Sequence, residues 1–128
     1  MDGTIATKPE KIHSYKDLIV WQRGMELVEM IYRFTTHLPA NEMYGLTSQL
    51  RRSAVSIPAN IAEGRHRGTR KDFRQFLLIA FSSGTELETH LEITKRLGFG
   101  SNSERTACEN LLNETQRMLN SMITKLCP

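Results

Sequence analysis

From Gln49 to Arg74 the chain reads QLRRSAVSIPANIAEGRHRGTRKDFR. Two features of this stretch decide the fold and the candidate site. With Leu46 just before it, the apolar residues Leu50, Ala54, Ile57 and Ile61 recur every three or four positions, which is one face of a helix. Charge is the second feature. Seven basic residues (Arg51, Arg52, Arg65, Arg67, Arg70, Lys71 and Arg74) stand against two acids, Glu63 and Asp72. The stretch is therefore +5 while the whole chain is +3, so the remainder is net acidic by two charges.

The spacing predicts a helix from about Asn41 to Glu63. Asn41 suits its N-cap, and Glu42 suits the positive end of its dipole. Gly64 is the expected glycine just past its end, so that Arg65, His66 and Arg67 fall in a loop. Pro58 lies inside this helix. It has no N–H for the carbonyl of Ala54 and should kink the helix there. Ser56 and Asn60 flank the proline, four residues apart, where their side chains can satisfy freed carbonyls. A recognition or subunit-contact role for the flank Ser53, Ser56, Asn60 and Glu63 is the alternative.

Three more helices follow from the same rules. One spans about Lys16 to His37, capped by Ser14 with Asp17 three residues on, and stopped by Pro39. Its stripe is Leu18, Trp21, Met25, Val28 and Tyr32, with a second flank of Ile19, Leu27, Ile31 and Phe34. The next spans Arg70 to Leu97, capped by Thr69. Its stripe is Phe73, Phe76/Leu77, Ala80, Gly84, Leu87 and Leu91. Gly84 costs roughly 1 kcal/mol against alanine in a helix interior, which fits a close approach by another backbone. The last spans Ser103 to Leu126, capped by Ser101 or Ser103. Its stripe is Ala107, Leu111, Thr115, Met118, Met122 and Leu126, with Leu112, Leu119 and Ile123 on a second flank.

No segment alternates as a strand does. Four helices of similar length with short connections imply an all-α, antiparallel up-down-up-down four-helix bundle. It would be one domain, residues 15–128, behind a disordered leader, residues 1–14. The second flanks exceed what one stripe per helix requires. They imply a homo-oligomer surface or, alternatively, a wider core.

Several function classes are excluded or disfavoured. No run approaches the ~18 apolar residues of a membrane span, and the N-terminus lacks the apolar core of a signal peptide. A cytoplasmic protein is expected, with Cys108 and Cys127 as reduced thiols. There is no phosphate-binding glycine loop, no G-x-S-x-G and no H-E-x-x-H. No catalytic residue, metal or cofactor is expected. Glu86 and His90 share a helical face and read as a surface hydrogen-bonding pair rather than a metal pair.

The basic stretch has two readings. Its arginines can form a solvated face that pairs with the acidic surfaces of the last two helices or with another subunit. Alternatively they form a phosphate-binding surface for RNA or DNA. Arg70, Lys71 and Arg74 sit near a helix N-terminus, where the dipole disfavours positive charge. Something else therefore wants charge there, and free backbone N–H groups would help hold a phosphate. No aromatic residue except Phe73 interleaves with these positions, so base stacking is not expected.

The run from Leu46 to Gly64, LTSQLRRSAVSIPANIAEG, closely resembles the bacterial four helix bundle protein family, also called the 23S rRNA intervening-sequence protein or S23-like family. The likeness continues at Leu18 to Gln22, Pro39 to Gly45, Phe73 to Ala80 and Glu86 to Glu88. The resemblance implies a small bundle assembling as a ring-like homopentamer, with no enzymatic activity attached. Some members are encoded inside intervening sequences of 23S rRNA genes. The family is also similar to the accessory protein of diversity-generating retroelements, a basic pentameric bundle that associates with nucleic acid and a reverse transcriptase. Carried over, Arg51, Arg52, Arg65, Arg67 and Arg70 become candidate RNA contacts. Ser56, Pro58, Asn60, Glu63 and Gly64 become a motif that is equally well structural. The expected function is a non-catalytic, homo-oligomeric, RNA-associated module. The alternative is a scaffold for a partner enzyme that makes no direct nucleic-acid contact.

Overall fold

The computed structural model describes residues 14–128. The expected leader lies outside the described residues except for Ser14. Four long helices follow in order: α1 Ile19–Thr35, α2 Leu46–Arg67, α3 Arg70–Leu97 and α4 Asn102–Lys125. Short 3-10 turns at Tyr15–Asp17 and Ala40–Glu42 precede α1 and α2. No strand occurs among the described residues.

Each helix packs on two neighbours. α1 meets α2 and α4, α3 meets α2 and α4, and the diagonal pairs do not pack. This is the expected four-helix bundle. Its core holds Leu27, Ile31 and Phe34 from α1, and Leu50, Ile57 and Ile61 from α2. Leu77, Leu87 and Leu91 join from α3, and Leu112 and Leu119 from α4.

The helix ends explain much of the topology. The Thr69 hydroxyl accepts from the Asp72 N–H at 3.1 Å and opens α3. The Ser101 hydroxyl accepts from the Glu104 N–H at 3.2 Å and opens α4. Gly68 ends α2 with φ +89°, a left-handed conformation that costs any residue with a Cβ. Ser14 caps the first 3-10 turn, through the Lys16 N–H at 2.9 Å, rather than α1 itself.

The limits of α2 differ from expectation at both ends. Asn41 lies in the preceding 3-10 turn, and α2 starts at Leu46. The Glu42 carboxylate caps it instead, accepting from the Leu46 N–H at 3.1 Å. Gly64 does not end the helix; it is buried within it. A Cβ there would lie 2.6 Å from the Cβ of Phe76 on α3. The glycine therefore serves close packing, and α2 runs one turn further, to Arg67.

The buried rows of α1 and α4 also differ. On α1 the buried row is Val20, Gly24, Leu27, Ile31 and Phe34, while Met25 and Tyr32 are exposed. The row includes Gly24, against which Pro58 of α2 packs; a Cβ there would lie 3.4 Å from the Pro58 Cβ. On α4 the buried row is Cys108, Leu112, Thr115, Leu119 and Ile123, one position from the expected stripe at most points. Ala107 is exposed, and Leu111, Met118 and Met122 are half-buried. Leu27, Ile31, Phe34, Leu112, Leu119 and Ile123, read as surplus flanks, are thus the core itself. Ile19 alone of that set is exposed.

Two motif details complete the frame. The Asn60 side-chain amide donates to the Ser56 carbonyl at 2.8 Å and to the Ser56 hydroxyl at 2.9 Å. It reaches Ser56 rather than the Ala54 carbonyl. The Ser83 hydroxyl of α3 donates to the Ser56 hydroxyl at 2.8 Å, so the motif also links α2 to α3. Gly84 faces the Gln116 side chain of α4 rather than a backbone. Gln116 in turn donates from Nε2 to the Phe81 carbonyl at 2.9 Å.

Candidate nucleic-acid interface

The end of α2, the start of α3 and the end of α4 meet at one end of the bundle. Arg65, His66 and Arg67 lie on the last turn of α2 and not on a loop. Arg67 Nε donates to Glu63 Oε2 at 2.9 Å, and its guanidinium lies 5.0 Å from the Phe76 ring centre. Arg65 is half-buried. Arg70 Nη2 donates to the Lys125 carbonyl at 3.3 Å, and Arg74 Nε to the Ile123 carbonyl at 3.2 Å.

These last contacts account for the charge at the start of α3. The final carbonyls of α4 lack intrahelical donors and carry the negative end of its dipole. Antiparallel packing sets that end beside Arg70 and Arg74. What their own helix dipole disfavours, the neighbouring helix end favours. Lys71 is exposed and makes no hydrogen bond or ion pair among the described residues.

Arg51 and Arg52 do not join this cluster. They lie thirteen or more positions before Arg65 on α2, roughly 20 Å along the axis. That exceeds the ~8 Å screening length at physiological salt, so the two groups act separately. Arg51 Nε donates to the Thr35 hydroxyl of α1 at 2.8 Å, and its guanidinium stacks 4.5 Å from the Tyr32 ring centre. Arg52 is exposed and has no such partner among the described residues.

A groove opens beside this pair, walled by Tyr32, Met43, Tyr44, Val55 and the two arginines. Tyr44 is 97% exposed and Tyr32 42%. Two tyrosines therefore do accompany the basic residues, against the expectation that only Phe73 would. Tyr44 is a lone aromatic in a connection and leaves no periodic signal. Tyr32 sat in a presumed core stripe. Arg52 and Tyr44 also border a second, more polar groove that reaches Glu86 of α3.

Other candidate chemistry is sparse. His90 is buried, not at the surface, and its Nδ1 lacks a hydrogen-bond partner; Glu86 is exposed. Among the described residues no group of three or more His, Cys, Asp or Glu side chains is placed to hold a metal ion. Burial pushes the Cys108 thiol up to about 11, the opposite of an activated nucleophile. No described helix is long and apolar enough to cross a membrane.

The family model described as 23S rRNA-intervening sequence protein matches residues 16–121. Among solved structures, the chain is similar to a protein of unknown function from the S23 ribosomal protein family of Bacteroides thetaiotaomicron VPI-5482. The two are 29% identical, with a TM-score of 0.74 over 81% of this chain and 97% of the other. No curated protein matches. The match spans all four helices and includes the proline-bearing α2, so the chain belongs to the 23S rRNA-intervening sequence protein family.

Proposed function

We propose that this chain is a non-enzymatic module that binds nucleic acid, RNA ahead of DNA, and works as a cytoplasmic homo-oligomer, expected to be a pentamer. The observation that carries this reading is the state of Arg52 and Lys71. Both are exposed and unengaged among the described residues, whereas Arg51, Arg67, Arg70 and Arg74 are held by the fold. The family description names 23S rRNA, which favours RNA as the ligand. Binding would act by neutralising phosphates. Repetition around an oligomer turns a weak site into an avid one.

An RNA titration at about 50 and about 200 mM salt tests this, with wild type beside Arg52→Ala/Lys71→Ala. Wild type should bind at the lower salt and weaken steeply at the higher. The double variant should bind more weakly and show a shallower salt slope, by roughly 0.7 per lost contact on a single strand. No binding at low salt, or equal binding by both proteins, overturns the reading. One observation favours a second reading, a scaffold for a partner enzyme. The groove beside Arg52 is rich in tyrosine, methionine and arginine, the residue types enriched in protein interfaces. Loss of oligomer in the double variant by light scattering, with RNA affinity unchanged, would favour it.

A further inference from the structure

We infer that the ligand of the α1–α2 groove is a single-stranded RNA segment whose bases stack on Tyr44, with Arg51 and Arg52 holding its phosphates. This rests on the nucleic-acid reading above and narrows it. Tyr44 leaves almost its whole side chain in water although its backbone is fixed. The Gly45 N–H donates to the Glu42 carbonyl at 3.0 Å, and the Glu42 carboxylate caps the Leu46 N–H. The ring is therefore free while its attachment is held, which is the arrangement of a stacking platform.

The rest of the groove fits the same ligand. Its volume of about 550 Å³ suits a nucleotide-sized group. Tyr32, Met43 and Val55 offer partly exposed apolar walls. Arg51 is pinned by Thr35 and Tyr32, so its positive charge is positioned before any ligand arrives. Arg52 stands at the rim and forms no ion pair among the described residues. On its far side, the second groove carries Glu86, whose carboxylate repels phosphate. That leaves the Tyr32 side as the path for a backbone. A surface that only neutralised phosphates would need no exposed tyrosine. Stacking on tyrosine requires unpaired bases, because a duplex hides its base faces.

Fluorescence anisotropy on the full chain at low salt separates the possibilities. The probes are a labelled RNA of about 12 nucleotides, within the usual site sizes, and the same sequence annealed as a duplex. The single strand should bind more tightly than the duplex. Tyr44→Ala should weaken single-strand binding at least about fivefold and leave duplex binding unchanged, while Tyr44→Phe keeps wild-type affinity. Tyr44 is exposed, and a circular-dichroism melt checks that the variants stay folded. If single strand and duplex bind alike, and Tyr44→Ala matches wild type while Arg52→Ala weakens both, this inference falls and phosphate binding stands. If neither RNA binds, both fall. If Tyr44→Ala breaks the oligomer without changing RNA affinity, the groove belongs to a second copy of the chain and the inference falls.

Discussion

Arg74, in the second turn of α3, donates through Nε to the carbonyl of Ile123 near the end of α4 at 3.2 Å. The contact joins two antiparallel helices where one has an excess of N–H groups and the other of carbonyls. A hydrogen bond from a charged donor to a partly buried acceptor is worth about 1.5–3 kcal/mol. Arg74→Met keeps the apolar stem and removes the donor. Urea unfolding should show a loss of about 1–2 kcal/mol. Arg70→Met should cost less, about 0.5 kcal/mol, because Arg70 is exposed and its bond is longer.

Gly64→Ala tests the reassignment of that glycine from helix end to helix contact. Alanine gains about 1 kcal/mol of helix propensity. Its Cβ would meet the Phe76 Cβ at 2.6 Å and the Phe73 carbonyl oxygen at 3.3 Å. Overpacking of this kind typically costs about 1–3 kcal/mol and should exceed the gain, so the denaturation midpoint falls. Gly24→Ala is the control. Its Cβ would meet Pro58 at an ordinary 3.4 Å, so it should be neutral or mildly stabilising.

Arg105 is a buried arginine, 3% exposed, at the other end of the bundle. It donates to the Thr94 hydroxyl at 3.0 Å, to Asn102 Oδ1 at 2.6 Å and to the Phe99 carbonyl. One planar fork thus ties the end of α3 to the start of α4. Arg105→Met should cost about 3 kcal/mol, because the buried Thr94 hydroxyl and the half-buried Phe99 carbonyl lose their charged donor. Arg105→Lys should not restore stability, since an ammonium cannot reach three acceptors in that geometry. Thermal melts of both variants check this.

The two cysteines should react very differently. Burial raises the Cys108 thiol from an ordinary 9.0 to about 11, while Cys127 is exposed. A thiol reagent at neutral pH should label one site quickly, and Cys108 only after denaturant is added. A raised folded-state value also links to stability. The folded protein holds the proton more tightly, so this contribution is fully present below pH 9 and is lost as pH rises toward 11. Cys108→Ala should flatten that alkaline decline in a series of melts.

The fold was readable where caps and breakers speak alone. Thr69 and Leu97 bound α3 as the spacing indicates, because a threonine cap and a following glycine have few other meanings there. The register of α1 and α4 was not readable from hydrophobicity. Their buried rows pass through Gly24, Arg105, Cys108 and Thr115, while Met25 and Tyr32 face outward. A glycine that admits a proline ring, or an arginine that bonds three acceptors, counts as polar or neutral until its partner is known. The basic stretch and the distance of Arg51 and Arg52 from the rest of it are legible in the spacing, but the partners of its arginines are not. Antiparallel α4 gives Arg70 and Arg74 their carbonyls, and only the arrangement of α1 brings Tyr32 to Arg51.

Only Gly68 and Thr69 separate α2 from α3, and these two helices form the most extensively packed pair of the bundle. Closing so short a loop loses little chain entropy, and contacts near in sequence form fast. The α2–α3 hairpin is therefore expected to organise the folding transition state, with α1 and α4 docking afterwards. In stopped-flow chevrons, Leu77→Ala should chiefly slow folding, while Leu119→Ala should chiefly speed unfolding. The helix ends that carry the positive charge would then also be where the chain first commits to its shape.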